Sequence, residues 1–524
     1  MPSALAYLFA PADFRPTRLV PRWLWLRALG LLFLSAFVAL AYQIRGLIGT
    51  LGILPADDYL RQVTQVVPGA GRFWDVPSVF WMGASDRALM TGVTIGVIAS
   101  LLLIANVWPR AMTAICTILF MSCVAVLQDF SSYQSDGMLL EAGFLSFFLA
   151  PRGIRPGLGA DDPASRAAYF LVQWEWFRIY FESGVIKLAS GDPTWRNFTA
   201  MDEYYQNGPF PTWIGWYVQH FPHWYHAMTV GITFAVELVI VWALFLPRPY
   251  RIACFFVTSA LQVGIIATAN YAFLNYLVLA EGVLLLDDGL FEHAQLWWRA
   301  QAIPRLRGAA RLFATPREAA VRATSAGVLA TEAIVLTWVF VATLPPFIAP
   351  TTGGMSLPSA VTVPMRSLAP FRIANQYGLF AVMTPARYEI EFQGSRDGMH
   401  WTAYPFRYKP QDLRTPPPIF APYQPRFDWN LWFASLAPWQ QSQWVALVQM
   451  KLLDGDEAVL SLFRANPFAA APPTQVRTVL WQYWFTSEAT KRATGAWWRR
   501  ELVGPFSGTM TRTPDGRTTL APPQ

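Results

Sequence analysis

The feature that most constrains this chain is that its apolar residues come in blocks long enough to cross a bilayer. Residues 23–48, 89–107, 111–127, 227–246 and 326–348 are nearly free of charge, and each is close to the roughly 20 residues that a spanning helix needs. Residues 138–150, 167–187, 252–268 and 272–286 are weaker blocks, short or interrupted by charge. Together they predict a polytopic α-helical membrane protein of about nine spans. With 54% hydrophobic and only 14% charged residues, the chain is too apolar for an ordinary soluble protein.

Arginine placement supplies the topology. Arg15, Arg18 and Arg22 precede the first block, Arg110 sits between the second and third, and Arg152 and Arg155 follow the fourth. Arg248 and Arg251 join the sixth to the seventh, and Arg299, Arg305, Arg307, Arg311, Arg317 and Arg322 lie between the eighth and ninth. Alternating spans put all of these on one side, which the positive-inside rule makes cytoplasmic. The net charge of +7 therefore belongs to topology, and no nucleic-acid partner is expected. The expected division is a cytoplasmic N-terminus at 1–22, a bundle at 23–348 and an external C-terminal domain at 349–524. The bundle has external loops at 50–86 and 190–226 and a basic cytoplasmic loop at 287–324. The first block lacks a small-residue cleavage site and reads as a retained anchor. Two locations fit: a bacterial inner membrane with the domain in the periplasm, or an endoplasmic-reticulum membrane with it in the lumen. Cys116, Cys123 and Cys254 all fall within predicted spans, so the external domain has no disulfide framework and the cysteines read as apolar filler.

Charge inside the apolar blocks is costly unless paired or working. Residues 169–195, YFLVQWEWFRIYFESGVIKLASGDPTW, place Glu175, Arg178, Glu182 and Lys187 in one helix. The first three share a face, and Lys187 closes the helix before Gly191-Asp192-Pro193. Glu141 lies in the fourth block with Asp136 at its outer end; Lys187, at a similar depth, is the expected partner of Glu141 or Glu182. Glu237, Gln262, Asn270, Asn275, Glu281 and Glu332 occupy later blocks. Glu141, Glu175, Glu182, Glu237, Glu281 and Glu332 outnumber Arg178 and Lys187 six to two. That imbalance predicts a polar cavity in the bundle, lined by Asp136, Glu175, Arg178, Glu237, Asn270, Asn275 and Glu281. A transporter would leave similar marks, but no inverted repeat is visible.

Residues 190–226 are aromatic and turn-rich, as expected of a cap at the membrane interface. Its His220, His223 and His226 repeat every third residue, yet Pro222 interrupts them and no further ligand pattern accompanies them, so no metal is expected. Beyond residue 348 the pattern changes. Residues 388–392 and 400–408 alternate around a Gly-Ser-Arg-Asp-Gly turn, which is a hairpin signal, and further strands are expected near 375–383 and 476–486. Residues 429–464 have helical spacing. The expected fold is a β-sandwich with a helical insert. Its 17 basic and 11 acidic residues are interspersed, which again disfavours nucleic acid. Trp429, Trp432, Trp497 and Trp498 are its candidate client contacts. The chain has no Gly-rich phosphate loop, G-x-S-x-G, H-E-x-x-H or C-x-x-C, so no cofactor is expected.

Several segments carry a family resemblance. SDGMLLEAGFLSFFLAP (135–151), FESGVIKLASGDPTWRNFTAMDEYY (181–205), NYAFLNYLVLAEGVLLLDD (270–288), APYQPRFDWNLWFASL (421–436), NPF (466–468) and RATGAWWRREL (492–502) together resemble the lipase maturation factors. The resemblance implies a membrane-bound factor that helps exported client proteins, lipases among them, to fold, with its C-terminal domain on the lumenal side. More distantly, YFESGVIKL followed by a tryptophan is similar to the membrane segment of the vitamin K-dependent gamma-carboxylases. That likeness implies an alternative, a membrane enzyme acting on a lipid or quinone-like substrate with Lys187 as base, tuned by Glu182 or Glu141.

Overall fold

In the computed structural model, residues 4–12, 14, 17–131, 133–293, 326–348, 358–513 and 517–521 are described. Arg15 and the six arginines from Arg299 to Arg322 lie outside them, as does most of the expected basic loop.

The bundle runs through α1 (Leu19–Ile48), α2 (Asp86–Ile104), α3 (Pro109–Val126), α4 (Gln134–Leu149), α5 (Arg166–Ala189), α6 (His223–Phe245), α7 (Arg248–Thr268), α8 (Leu274–Leu285) and α9 (Ala326–Ile348). Six of these, all but α4, α5 and α8, are long and apolar enough to cross a membrane. Local chemistry sets the starts. The Ser85 and Ser165 hydroxyls accept hydrogen bonds from the Ala88 and Ala168 amides to cap α2 and α5, and a proline occupies the first turn of α3 and α7. Burial then sorts the helices. α5 is buried almost all round, charges included, and so lies at the centre. α7 buries only Cys254, Thr258 and Gln262 and turns the rest of its surface outward.

The helix ends gather in two layers. At one end Thr17 donates to Asp288, Arg22 to the Asp162 carbonyl, Asn106 to the Gly157 carbonyl and Arg110 to the Ala150 carbonyl, while Arg248 pairs with Asp287. At the other, the Thr50 amide meets Asp86, Gln128 donates to the Leu54 carbonyl and Pro211 bridges to Ala269. The C-terminal domain sits on this second end.

That domain is an antiparallel sheet of β1 (Arg387–Ser395), β2 (Thr402–Ala403), β3 (Gln475–Phe485), β4 (Trp498–Arg512) and β5 (Thr518–Ala521), in the order β2-β1-β3-β4-β5. Two helices, α10 (Arg426–Ala434) and α11 (Trp444–Asp454), pack against it. Gln449 of α11 donates to the Val476 and Gly508 carbonyls, and Ser435 at the end of α10 donates to the Tyr388 carbonyl. The expected sandwich is thus replaced, among the described residues, by one sheet backed by helices. The second hairpin arm stops after two residues, since Pro405 cannot donate to a ladder. The strand expected at 375–383 does not form. The amides of Asn375, Tyr377, Leu379 and Met383 are instead taken by Glu141, Glu182, Ser183 and Asp192 of the bundle side.

Candidate functional site at the seam of bundle and sheet domain

The charged face of α5 meets this irregular segment in a buried hub. Arg178 pairs with Glu141 of α4, donates to the Asn375 carbonyl at 2.8 Å and lies 3.8 Å from Glu182. Glu141 also accepts from the Asn375 amide at 3.1 Å, the Asn375 side chain at 3.0 Å and the Tyr377 hydroxyl at 2.8 Å. Tyr377 reaches Glu175 at 3.3 Å, and its amide donates to Glu182 at 2.6 Å. Glu281 of α8 lies beside Glu175. Arg178, Glu141, Glu175 and Tyr377 are all fully buried. A lone guanidinium could not satisfy these carboxylates; the further donors come from beyond residue 348, and one oxygen each of Glu175 and Glu182 and both oxygens of Glu281 are left without a hydrogen-bond partner among the described residues.

Lys187 does not meet Glu141 or Glu182, contrary to the sequence expectation. It donates to both oxygens of Glu237 at 2.9 Å. Nine residues separate it from Arg178, about two and a half helical turns, so the two cations point to opposite sides of α5. Glu237 is carried by a π-helical turn in α6, Ala235–Val239. Gly184 of α5 permits the close approach, since a Cβ there would lie 2.7 Å from Leu238 and 2.9 Å from Glu237.

The remaining predicted cavity residues are dispersed, so the single polar cavity expected from the charge count is corrected. Asp136 forms a two-pronged pair with Arg426 of α10 at 2.7 and 2.8 Å. Asn270 accepts from the Phe420 and Ala421 amides and donates to the Pro418 carbonyl, clamping the sheet domain's loop. Asn275 donates to Gln262, which donates to Tyr180, linking α8, α7 and α5. Glu332 accepts from Ser165 at the far end. The charge count failed because it considered the bundle alone and left out donors after residue 348: Asn375 and Tyr377 serve Glu141, Glu175 and Glu182, and Arg426 serves Asp136. Arg426, Asn375 and Tyr377 were missed for the same reason, although Arg426 lies within one of the segments that carry the family resemblance.

The 190–226 segment is the platform beneath the sheet. Arg387 of β1 donates to the Gln206 and Pro209 carbonyls, Trp216 to the Trp497 carbonyl, and His220 contacts the Thr486 carbonyl. His223 reaches Asp202 instead, and His226 is buried apart; among the described residues no cluster of three His, Cys, Asp or Glu is placed to hold a metal. The four tryptophans do not form one exposed patch. Trp498 is buried against Phe485 and Arg387, and Trp497 lies under the Lys491 ammonium. Trp429 and Trp432 are buried too, bordering a groove.

The bundle and the seam also hold two apolar cavities. One, of 660 Å³, lies between α6 and α7 with Lys187, Glu237, Trp195 and Phe256 in its wall. The other, of 340 Å³, lies in the seam between Tyr133, Tyr271, Phe380, Trp429 and Trp432. Tyr204, Phe380 and Met383 border both.

A bundle with six helices long and apolar enough to cross a membrane, some of whose buried charges bond to the C-terminal sheet domain, defines an integral membrane protein carrying that domain. Residues 20–293 match the lipase maturation factor transmembrane domain, and residues 373–508 the lipase maturation factor C-terminal domain. The chain belongs to the lipase maturation factor family. It is 31% identical to human lipase maturation factor 2 over 93% of this chain and 82% of that protein. It is 32% identical to the chicken protein of the same name, covering 94% and 81%, and 30% identical to mouse lipase maturation factor 1, covering 95% and 89%. No solved structure matches it.

Proposed function

We propose that this chain is a membrane-bound maturation factor that assists exported client proteins, lipases among them, with the sheet domain and the 190–226 platform as the working surface. The observation that carries this reading is the seam. Asp136–Arg426, Asn270 and the Arg178 hub hold the sheet domain against the bundle, so the membrane part acts as a mount that presents the domain at a fixed height. The family membership supports the same reading.

The proposed topology has nine crossings, α4, α5 and α8 included, with residues 349–524 outside. Its support is the alternation of helix ends between the two layers, with Arg22, Arg110, Arg152, Arg248 and Arg251 all at the layer away from the sheet domain. The facing compartment is periplasm or endoplasmic-reticulum lumen. The enzymatic alternative gains no support, since Lys187 is committed to both oxygens of Glu237.

The test is recovery of an exported lipase co-expressed with this chain in a host without a relative of it. The full chain should raise the specific activity of the exported lipase, and truncation after residue 348 should remove the gain. Full recovery with the truncated bundle overturns the proposal.

A further inference from the structure

The seam groove is lined by residues with polar atoms that nothing among the described residues satisfies. Trp429 and Trp432 are 6% and 7% exposed, and neither indole N–H has a hydrogen-bond partner among the described residues. Asn207 is 2% exposed; its amide nitrogen donates to the Thr384 carbonyl at 3.0 Å, while its Oδ1 is left without a partner. More than nine in ten buried polar groups find partners, and each that does not costs about 1–3 kcal/mol. With the Tyr271 hydroxyl, which can donate or accept, four such atoms belong to residues that line one 340 Å³ groove, a volume within the usual range for ligand sites.

We propose that this groove binds a short, uncharged, apolar segment of polypeptide in extended form, and so is where a client is gripped. This deepens the maturation reading and rests on it. The donor and acceptor inventory selects the ligand class. The two indoles need acceptors, which peptide carbonyls supply, and Asn207 Oδ1 needs a donor, which a peptide N–H supplies. A lipid acyl ester offers acceptors but no donor. The rest of the lining is apolar or uncharged, with no charged side chain among the described residues, so a charged segment would lose its hydration without recompense. Val382 and Phe433, 66% and 46% exposed, extend the apolar surface beyond the mouth.

The experiment uses the full chain in nanodiscs and an end-blocked decapeptide of leucine, valine, phenylalanine and a diazirine-bearing leucine. Cross-links should map to residues 378–384 and 429–433. N-methylation of the peptide backbone should weaken binding about tenfold, as should Asn207→Leu, the effect expected when a buried polar partner is lost. Val382→Trp, a change at an exposed position that leaves the fold intact, should block the mouth and abolish the cross-link. Equal binding of the N-methylated peptide, cross-links elsewhere, or preferential labelling of the groove by a photoactivatable phospholipid overturns the proposal. The two proposals fail separately. If the peptide does not bind yet lipase recovery still needs the sheet domain, the groove assignment alone falls. If the peptide binds but truncation leaves recovery intact, the maturation reading falls.

Discussion

Asp136 at the start of α4 and Arg426 in α10 lie 290 residues apart and are joined by two hydrogen bonds, with both side chains fully buried. A buried pair need not be a large net source of stability, but breaking it leaves an uncompensated charge. Arg426→Met should therefore destabilise the protein by about 3–5 kcal/mol, while Asp136→Asn combined with Arg426→Met should recover much of that loss. Thermal unfolding of the detergent-solubilised protein checks both. A double variant no more stable than the worse single one would show that the pair is not what couples the two parts.

The same logic applies at the hub, where the sheet domain contributes a hydroxyl instead of a charge. Tyr377→Phe removes the donor shared by Glu141 and Glu175 but keeps the ring beneath Arg178. We expect a loss of about 1–3 kcal/mol, felt first by the segment that the hub holds. Amide exchange should speed up across residues 372–384, whose amides at 375, 377, 379 and 383 are bonded to bundle side chains. Unchanged protection there would mean that Tyr377 does not anchor the segment.

Much of the bundle was legible because the bilayer imposes one length and one chemistry on every crossing. Each apolar block corresponds to a helix, with ends that differ by up to about four residues, as with 89–107 and Asp86–Ile104, and coincide at 326–348. The face shared by Glu175, Arg178 and Glu182 follows from helical spacing and was found as expected. Partners were not legible. Glu237 reaches Lys187 only because a π-helical turn carries it toward α5, and no periodicity reports such a turn. The segment at 375–383 carries β-prone residues, but its amides are taken by bundle carboxylates and a serine hydroxyl that no local pattern could announce. Alternation suggests a sandwich because it reveals one buried face without saying whether a second sheet or helices cover it.

The Lys187–Glu237 pair gives a prediction that separates structure from chemistry. Lys187→Met leaves the Glu237 carboxylate facing apolar residues in the 660 Å³ cavity wall. A structural pair predicts lower abundance in the membrane and a loss of about 3–5 kcal/mol, largely relieved in Lys187→Met with Glu237→Leu. Lipase recovery per folded molecule should stay unchanged. A variant that is as stable as the wild type but inactive would instead assign Lys187 a chemical role.

In the sheet domain, Asp428 provides a pH signature. Burial in α10 raises its carboxyl from the ordinary 3.8 to about 7, against the opposing pull of Lys409, whose ammonium is paired with Glu389 at 2.8 Å. Folding thus favours the protonated form. The stability tied to this group is fully present below about pH 4 and is lost as the pH rises through about 7, amounting to at most about 4 kcal/mol. Asp428→Asn mimics the protonated carboxyl at every pH. Wild type and variant should therefore unfold alike near pH 4, and the variant should become progressively the more stable of the two up to pH 8. Denaturant titrations of the full chain across that range measure the gap, and a gap that stays flat with pH would show that Asp428 titrates as an ordinary solvated carboxylate.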